Sequence, residues 1–269
     1  MSEKQSAYLN PRKISGINRV GLQTLVAKEV GRFINVYTQT IVAPVVTTLL
    51  FYAVFALAFG GITRTIGEIP YLTFLAPGLI MMTMVQNAFA NTSSSLVIAK
   101  VQGNIVDILM PPLSPAEFYW GYVIGGIARG ICVGAVVGLV VFLFVGLPFH
   151  SLWAIITFAV LGNMMLSSIG LAAGIWSQKF DHIAAVTNFV VTPLTFLSGT
   201  FYSLNQLPEI WQNLALYNPF FYMIDGFRYG FIGVSDGNVY HGLIFLIVIN
   251  ILLTIGTWLM IKTGYKMKT

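Results

Sequence analysis

Long apolar runs recur along the chain and alternate with short polar stretches. A helix needs about 20 mostly apolar residues to cross roughly 30 Å of hydrocarbon. Windows of that length predict six membrane-spanning helices, at residues 39–59, 71–93, 117–146, 152–176, 183–201 and 242–261. The pattern therefore predicts an all-α polytopic membrane protein.

The stretch before the first run has a different pattern. From residue 17 to 36, apolar side chains recur at steps of three and four, with Arg19, Lys28, Glu29 and Arg32 between them. This spacing predicts an amphipathic helix on the membrane surface, although a merely solvated leader has the same composition. We therefore divide the chain into a cytoplasmic tail with an interface helix, 1–37, and a six-helix transmembrane domain, 38–269.

The stretch between the fifth and sixth predicted spans is aromatic but interrupted. Residues 202–240 include Pro208 and Pro219 and carry charges, so no 20-residue span fits there. The pattern predicts a pair of re-entrant half-helices that dip into the outer leaflet with their backbone buried against protein. Asp225 and Arg228 lie three residues apart on the second half-helix, and we expect them to form an ion pair.

The distribution of charge sets the expected orientation. Only 9% of the residues are charged, whereas an ordinary soluble domain has about a quarter. If six helices alternate, eleven of the fourteen basic residues fall on one side, namely Lys4, Arg12, Lys13, Arg19, Lys28, Arg32, Lys100, Lys179, Lys262, Lys266 and Lys268. Lys and Arg collect on the cytoplasmic side, so both termini are predicted to be cytoplasmic. Membrane topology explains the positive charge better than nucleic-acid binding does.

Two single residues narrow the possible chemistry. Cys132 is the one cysteine, which excludes intrachain disulfides and cysteine-rich metal sites. Arg129 is the one charge well inside a predicted span. Such a residue is functional or snorkels towards an interface, and the length of the third span favours snorkelling.

Polar residues form a face on the second predicted span. Thr83, Asn87, Asn91 and Ser94 follow one another at steps of four, four and three, which aligns them on a helix. Polar side chains in hydrocarbon need partners, so this face meets either another helix or a watery path.

Mixed aromatic and hydroxyl faces occur on two further spans. The first carries Thr40, Pro44, Thr47, Phe51 and Phe55, and the fifth carries Asn188, Phe189, Thr192, Pro193 and Phe196. Such faces suit an amphipathic cargo, but aromatic rings also serve ordinary packing. In the third span, glycines at 126, 130, 134 and 138 form a smooth strip that predicts close approach of another helix.

The cytoplasmic connection 99–115 is more apolar than a free loop needs to be. Ile105 and Ile108 call for burial, and Pro111 and Pro112 would stop a helix that contains them. A short helix here fits a groove in a soluble partner, or else lies flat on its own protein.

Several function classes lack their motifs. There is no GxxxxGK(S/T) loop for nucleotide and no HExxH pair, and Ser198-Gly199 does not complete a GxSxG elbow, so we expect no enzyme activity on this chain. None of the nine acidic residues lies in mid-span, which argues against proton coupling. An ion-gradient-driven secondary transporter or channel remains the alternative to an ATP-driven exporter.

Three segments resemble the signature of ABC-2 type transporter permeases: LSGTFYSLNQLP at 197–208, YNP at 217–219 and YMIDGFRY at 222–229. The surface helix, the six spans and the connection before Pro111 fit the same family. The resemblance implies the membrane subunit of an exporter in a bacterial cytoplasmic (inner) membrane. Its cargo would be a drug, a lipid or a polysaccharide, and transport would proceed by alternating access or by a transient channel.

The resemblance also implies partners and roles. Two copies of the permease form the pathway, and two separate ATPase subunits hold the ATP and Mg²⁺, so no cofactor is expected on this chain. The candidate ATPase-coupling residues are Lys100, Asn104, Ile105, Asp107 and Ile108. The candidate pathway residues are Thr47, Phe51, Phe55, Asn87, Asn188, Thr192 and Phe196. The half-helices with Asp225 and Arg228 would form the outer lip.

Overall fold

The computed structural model describes residues 16–59 and 65–267. The first 15 residues of the predicted tail, with Lys4, Arg12 and Lys13, and Lys268 at the other end lie outside the described residues. Helix dominates the described ranges. In chain order the elements are α1 (Arg19–Asn35), a π-helical turn (Thr38–Val42) that continues into α2 (Ala43–Phe59), β1 (Thr65–Ile66), β2 (Ile69–Pro70), α3 (Tyr71–Val101), α4 (Ile105–Leu109), α5 (Pro115–Val145), α6 (Leu152–Trp176), α7 (Phe180–Val186), a second π-helical turn (Thr187–Val191), α8 (Thr192–Phe196), a 3-10 turn (Leu204–Gln206), α9 (Glu209–Leu216), α10 (Pro219–Ile232) and α11 (Val239–Thr263).

Within the described ranges, five helices are long and apolar enough to cross a membrane. They coincide with the first, second, third, fourth and sixth predicted spans. The predicted fifth span holds a shorter helical stretch instead, made of α7, the second π-helical turn and α8, which ends at Phe196. Gly199 follows in a left-handed conformation at φ 72°, which takes the chain out of the helix before the predicted end at 201.

The two π-helical turns share a sequence pattern. Each begins with threonine, ends with valine and is followed after one further residue by a proline, Pro44 in α2 and Pro193 in α8. Proline has no N–H, and its ring crowds the carbonyl four residues earlier. A wider turn ahead of it relieves this crowding without ending the helix.

α3 is the central helix of the fold. It packs against α5, α6 and α10, and most of its length is buried, whereas α2 is largely exposed. Leu96, Val97 and Ala99 are buried in the second half of α3, and they extend this helix past the predicted end at residue 93 to Val101. Lys100 therefore belongs to α3, and the expectation that it lies in the following connection is wrong.

The predicted glycine strip on α5 packs helices within one chain. A side-chain carbon at Gly126 would meet Ser167 of α6, one at Gly130 would meet Asn163 of α6, and one at Gly134 would meet Met84 of α3. The fourth glycine, Gly138, instead lines an apolar cavity of about 470 Å³ between α3, α5, α6 and α10. Three of the four positions thus explain how closely α5 approaches its neighbours.

Polar caps fix where α1 and α5 begin. Asn18 accepts a hydrogen bond from the Gly21 amide at the start of α1. Ser114 and Glu117 form a capping box at the start of α5, with Pro115 in the first turn. These caps place the first turns of both helices at the same end of the bundle, where Glu117 also accepts a hydrogen bond from the Asn18 amide.

The region after Gly199 contains the two short helices α9 and α10. Asp225 accepts hydrogen bonds from the Ser235 hydroxyl at 2.5 Å and from the amides of Asp236 and Gly237 at 2.9 and 3.1 Å. Arg228 donates to the Gly199 carbonyl at 2.6 Å and lies 3.7 Å from the centre of the Phe74 ring. The two side chains bind different segments, so the predicted ion pair between Asp225 and Arg228 is not formed.

We expect Gly170→Ala to destabilise the fold, because Gly170 of α6 lies against the α3 backbone. A methyl group there would stand 2.6 Å from the carbonyl oxygen of Phe89. Overpacking of this kind costs about 1–3 kcal/mol. Gly256→Ala in α11 is the matched control, because a methyl group there meets nothing within 4 Å. Thermal unfolding of the purified proteins in detergent should show a lower midpoint for Gly170→Ala alone, and equal midpoints would contradict this packing.

Candidate transport pathway and coupling surface

Two grooves lie on either side of α3. The α2 groove, of about 280 Å³, separates α3 from α2 and is lined by Thr47, Phe51 and Asn87 among others. The α7 groove, of about 220 Å³, separates α3 from α7 and α8, and Thr192 is part of its lining. Gln86 of α3 lines both grooves. Four of the seven predicted pathway residues are thus divided between two clefts that share one wall.

Every residue of the predicted polar face of α3 forms a hydrogen bond with a neighbouring helix. Thr83 exchanges a hydrogen bond of 2.8 Å with Thr48 of α2. Asn87 accepts one of 2.9 Å from Arg129 of α5, and both Asn91 and Ser94 accept from Arg32 of α1. The face serves as a helix contact, and part of it also lines the grooves.

Aromatic rings join α2 to the segment after α8. Phe201 stacks on Phe55 with ring centroids 5.2 Å apart and on Phe196 with centroids 5.3 Å apart. The Tyr71 hydroxyl donates to the Phe201 carbonyl at 3.0 Å, which fixes this segment to the start of α3. Two further predicted pathway residues, Phe55 and Phe196, therefore meet through a third ring. Asn188 is exposed and lies outside the linings of both grooves.

Sequence reasoning missed two residues of this region. Gln86 lies one position away from the polar face of α3, so a search for a single helical stripe passes over it. The sequence predicts Phe201 at the end of an unbroken fifth span. Its stacking on Phe55 and Phe196 depends instead on the chain leaving the helix at Gly199. The LSGTFY segment does contain it, but a linear motif does not indicate which rings it meets.

The coupling candidates separate into buried and exposed residues. Ile105 is buried against the base of the bundle, and Ile108 is half-buried beside it. Asn104 and Asp107 are exposed. The apolar side chains that α4 presents outward are Val106 and Leu109, followed by Met110. We call Val106, Asp107, Leu109 and Met110 the coupling surface.

Lys100 joins α3 to the end of α6. Its buried ammonium group donates to the backbone carbonyls of Gly174 and Ser177 at 3.0 and 3.1 Å, and also to that of Ile175. These carbonyls lie at the C-terminal end of a helix, where the backbone has no hydrogen-bond partner of its own and the helix dipole is negative. The ammonium group therefore caps α6 immediately before the chain turns into α7.

The start of α1 is joined to the connection that contains α4. The Asn18 side chain donates to the Pro112 carbonyl at 3.3 Å. Glu117 accepts from the backbone amides of both Asn18 and Ser114, the latter at 2.7 Å. These hydrogen bonds tie the connection to the starts of both α1 and α5.

A charged group surrounds the second half of α3. Glu29 of α1 is fully buried and lies 3.4 Å from both Lys28 and Arg32. It also accepts from the Ser95 hydroxyl at 2.7 Å. Arg129 of α5 is partly buried and donates a hydrogen bond to Asn87 of α3.

In residues 16–59 and 65–267, no group of three or more His, Cys, Asp or Glu side chains is arranged to hold a metal ion. The candidate site consists of two clefts, stacked aromatic rings and hydrogen bonds between helices.

Comparison with known proteins identifies the family. A family model described as ABC-2 type transporter matches residues 20–232. The chain is 39% identical over 251 residues to a protein named inner membrane transport permease YadH from Escherichia coli, a match covering 93% of this chain and 98% of that one. Two proteins named nodulation protein J also match. The one from Sinorhizobium fredii is 22% identical over 194 residues, which cover 70% of this chain and 72% of the relative. The one from Rhizobium leguminosarum is 30% identical over 88 residues, which cover 33% of this chain and 34% of the relative.

We expect water to reach the α2 groove. In a Cys132→Ser background, Thr47→Cys should react with a charged, membrane-impermeant methanethiosulfonate at least about tenfold faster than Val46→Cys. Both positions are exposed, but only Thr47 lines the groove, and a charged reagent is excluded from hydrocarbon. Labelling is measured by mass shift of the protein in lipid vesicles. Equal rates at the two positions would mean that the groove is filled by lipid.

Proposed function

The chain belongs to the ABC-2 type transporter family, and from this premise we propose that it is the permease subunit of an ATP-driven exporter in a bacterial inner membrane. The observation that carries the proposal is the coupling surface, since apolar side chains on a short helix at the end of the spans match helix-in-groove docking to a soluble partner. The name of the Escherichia coli relative supports the inner-membrane location.

The ATPase is a separate subunit in this proposal, present in two copies that hold the ATP and Mg²⁺. Val106, Leu109 and Met110 would enter a groove of that subunit, and Asp107 would lie at the rim. Ile105 would hold α4 against the bundle from the other side, because it is buried there. Of the predicted coupling set, this assigns Asp107 to docking, beside Val106, Leu109 and Met110 from outside that set, and Ile105 to anchoring.

Lys100 would transmit the movement of α4. When the ATPase subunits close on ATP, α4 moves together with the end of α3. The Lys100 ammonium group connects that end to the carbonyls that close α6, and α7 begins a few residues later. A push on α4 would thus reach α7 and α8 through one buried side chain.

Two copies of the permease would enclose the pathway. α2 carries an exposed apolar stripe with Val46, Leu50 and Val54, and the helical stretch of α7 and α8 exposes Phe189 almost fully. These two segments flank the grooves and expose apolar side chains, so they are the elements a second copy would cover. We count α7 and α8 as the fifth of six crossings, which puts both termini on the cytoplasmic side together with most basic residues.

Opening would separate α2 from α8. The stacked rings of Phe55, Phe201 and Phe196 close the end of this cleft opposite to α4, and α9 and α10 would form the outer lip as re-entrant helices. The π-helical turns allow each of the two helices to bend. Cargo that fits hydroxyl-bearing apolar grooves is amphipathic or hydrophobic, and the candidate classes are a drug, a lipid or a polysaccharide.

The docking assignment has a direct test. In membranes where this chain and its ATPase are produced together, Val106→Asp combined with Leu109→Asp should reduce co-purified ATPase at least about tenfold, because apolar anchors carry most of an interface's binding energy. ATPase recovery is measured after affinity capture of the permease.

Val234→Asp is the matched control, because that valine is exposed to a similar degree after α10. Full ATPase recovery with the double variant would refute docking through α4. Recovery of no ATPase with the unaltered chain would refute the exporter itself, as would transport that follows an ion gradient without ATP.

We expect Lys100→Met to separate docking from transport. The change keeps the length of the side chain and leaves the coupling surface intact, but it removes the charged donor from three carbonyls. Hydrogen bonds to charged groups are worth about 1.5–3 kcal/mol each. The ATPase should still co-purify, while cargo moved per ATP hydrolysed should fall about tenfold.

Lys262→Met removes an exposed lysine near the end of α11 and should leave both quantities unchanged. Transport by Lys100→Met at the original efficiency would show that the α3–α6 contact is not a relay. Loss of ATPase binding would place Lys100 in the docking contact instead.

A further inference from the structure

Two arginines reach the α3 residues that border the grooves. Arg129 of α5 donates to the Asn87 side chain at 2.9 Å, and Asn87 lines the α2 groove. Arg32 of α1 donates to the Ser94 hydroxyl at 3.1 Å, and Ser94 lines the α7 groove. Each groove therefore has a guanidinium group behind one of its polar wall residues, in the half of α3 that leads to α4.

The two guanidinium groups are held close together on α3. Arg32 also donates to the Asn91 side chain at 3.0 Å. Asn87 and Asn91 are four residues apart, about 6 Å along the axis of α3, so the two arginines bind successive turns of one helix. This spacing permits both groups to face one bound molecule.

The charge of this group is not balanced. Among the described residues, Glu29 is the one carboxylate in ion-pair contact with it, and it is shared between Lys28 and Arg32 at 3.4 Å each. Lys28 is exposed, so water solvates its charge. The less exposed Arg32 and Arg129 supply two positive charges against this single carboxylate, which leaves one in excess. The other partners of the arginines here are neutral amides, hydroxyls and a backbone carbonyl.

The hydrogen-bonding capacity of the arginines is also not used fully. In the described part of the chain, the Nε–H groups of Arg32 and Arg129 are buried without a hydrogen-bond acceptor. An excess positive charge withdrawn from water within a helix bundle is costly, and it is commonly compensated by a ligand or an ion pathway. The planar guanidinium fork matches phosphate and carboxylate oxygens in particular.

We propose that Arg32 and Arg129 bind the anionic headgroup of an amphipathic cargo, most simply a phosphate monoester, while its apolar tail lies in the α2 or α7 groove. This rests on the proposed function and narrows the cargo from any amphipathic or hydrophobic molecule to an anionic amphiphile. Phe51 and Met82 in the α2 groove, and Phe89 and Val191 in the α7 groove, supply the apolar contact for the tail. Gln86 borders both grooves, so a tail can pass from one to the other beside a single side chain.

The test measures binding to the permease alone, embedded in phosphatidylcholine nanodiscs, with empty nanodiscs subtracted. Radiolabelled dodecyl phosphate is the probe, and the competitors are dodecanol, dodecyltrimethylammonium and inorganic phosphate. We expect unlabelled dodecyl phosphate to displace the probe at a concentration at least about tenfold lower than any of the three competitors. Displacement by inorganic phosphate at an equal concentration would identify a free-phosphate site, and equal displacement by dodecanol would identify a purely apolar site. Either result overturns the proposal.

Variants assign the binding to the arginines. Arg129→Gln should weaken dodecyl phosphate binding about tenfold or more, and Arg129→Lys should recover part of the loss, because it restores the charge without the fork. Arg19→Gln removes an exposed charge from the first turn of the same helix as Arg32 and should change nothing. An equal loss in Arg19→Gln and Arg129→Gln would reduce the effect to surface charge and refute the site.

Arg32→Gln is the second variant, and gel filtration together with thermal unfolding reports whether each variant folds. If neither arginine variant folds, the competitor series on the unaltered chain still decides between an anionic and an apolar site. No ATPase is present in this assay, so its outcome is independent of whether the exporter assignment holds. If the chain binds dodecyl phosphate but no ATPase co-purifies with it, the anion site stands and the exporter assignment is refuted.

Discussion

Polar groups placed in hydrocarbon must find partners inside the protein, and among the described helices α3 carries more buried polar residues than any other. Thr83 binds α2, Asn87 binds α5, Asn91 and Ser94 bind α1, and Lys100 binds the end of α6. Each bond fixes a different neighbour to the same helix. α3 therefore determines where the interface helix, the spans and the start of α7 lie relative to one another.

The same constraint explains why the molecule is unevenly packed. α3 and α6 are mostly buried and meet through small residues such as Gly170, which leave no space for rearrangement. α2 is largely exposed, and α7 is held to the bundle by few neighbours. A rigid centre with loosely held flanks is suited to a protein whose flanks move while the contacts that transmit force remain intact.

Much of this arrangement was predictable from the chain alone, because its cause is local. The length of apolar runs predicts five of the long helices, and the step of four along Thr83, Asn87 and Asn91 predicts that they share a face. The end of α3 was placed too early, since Lys100 interrupts the apolar run in sequence while its ammonium group is satisfied by carbonyls 74 to 77 residues away. The same limit applies to Asp225 and Arg228, whose partners come from segments that spacing on one helix cannot indicate, and to Phe201, whose role depends on the chain turning at Gly199.

The extra residue in each π-helical turn gives the helix that follows it a way to rotate about its own axis. Each turn holds one residue more than a regular α-helical turn needs, and a proline follows it after one further residue. If such a turn relaxes to α-helix by passing its extra residue along the chain, the part of the helix beyond it turns by roughly 100° about its own axis. α2 and α8 are thereby able to exchange the side chains that they show to α3 by twisting in place, with no lateral displacement of either helix. A passage formed in this way opens by a change in the chemistry of its wall as well as by a change in its width.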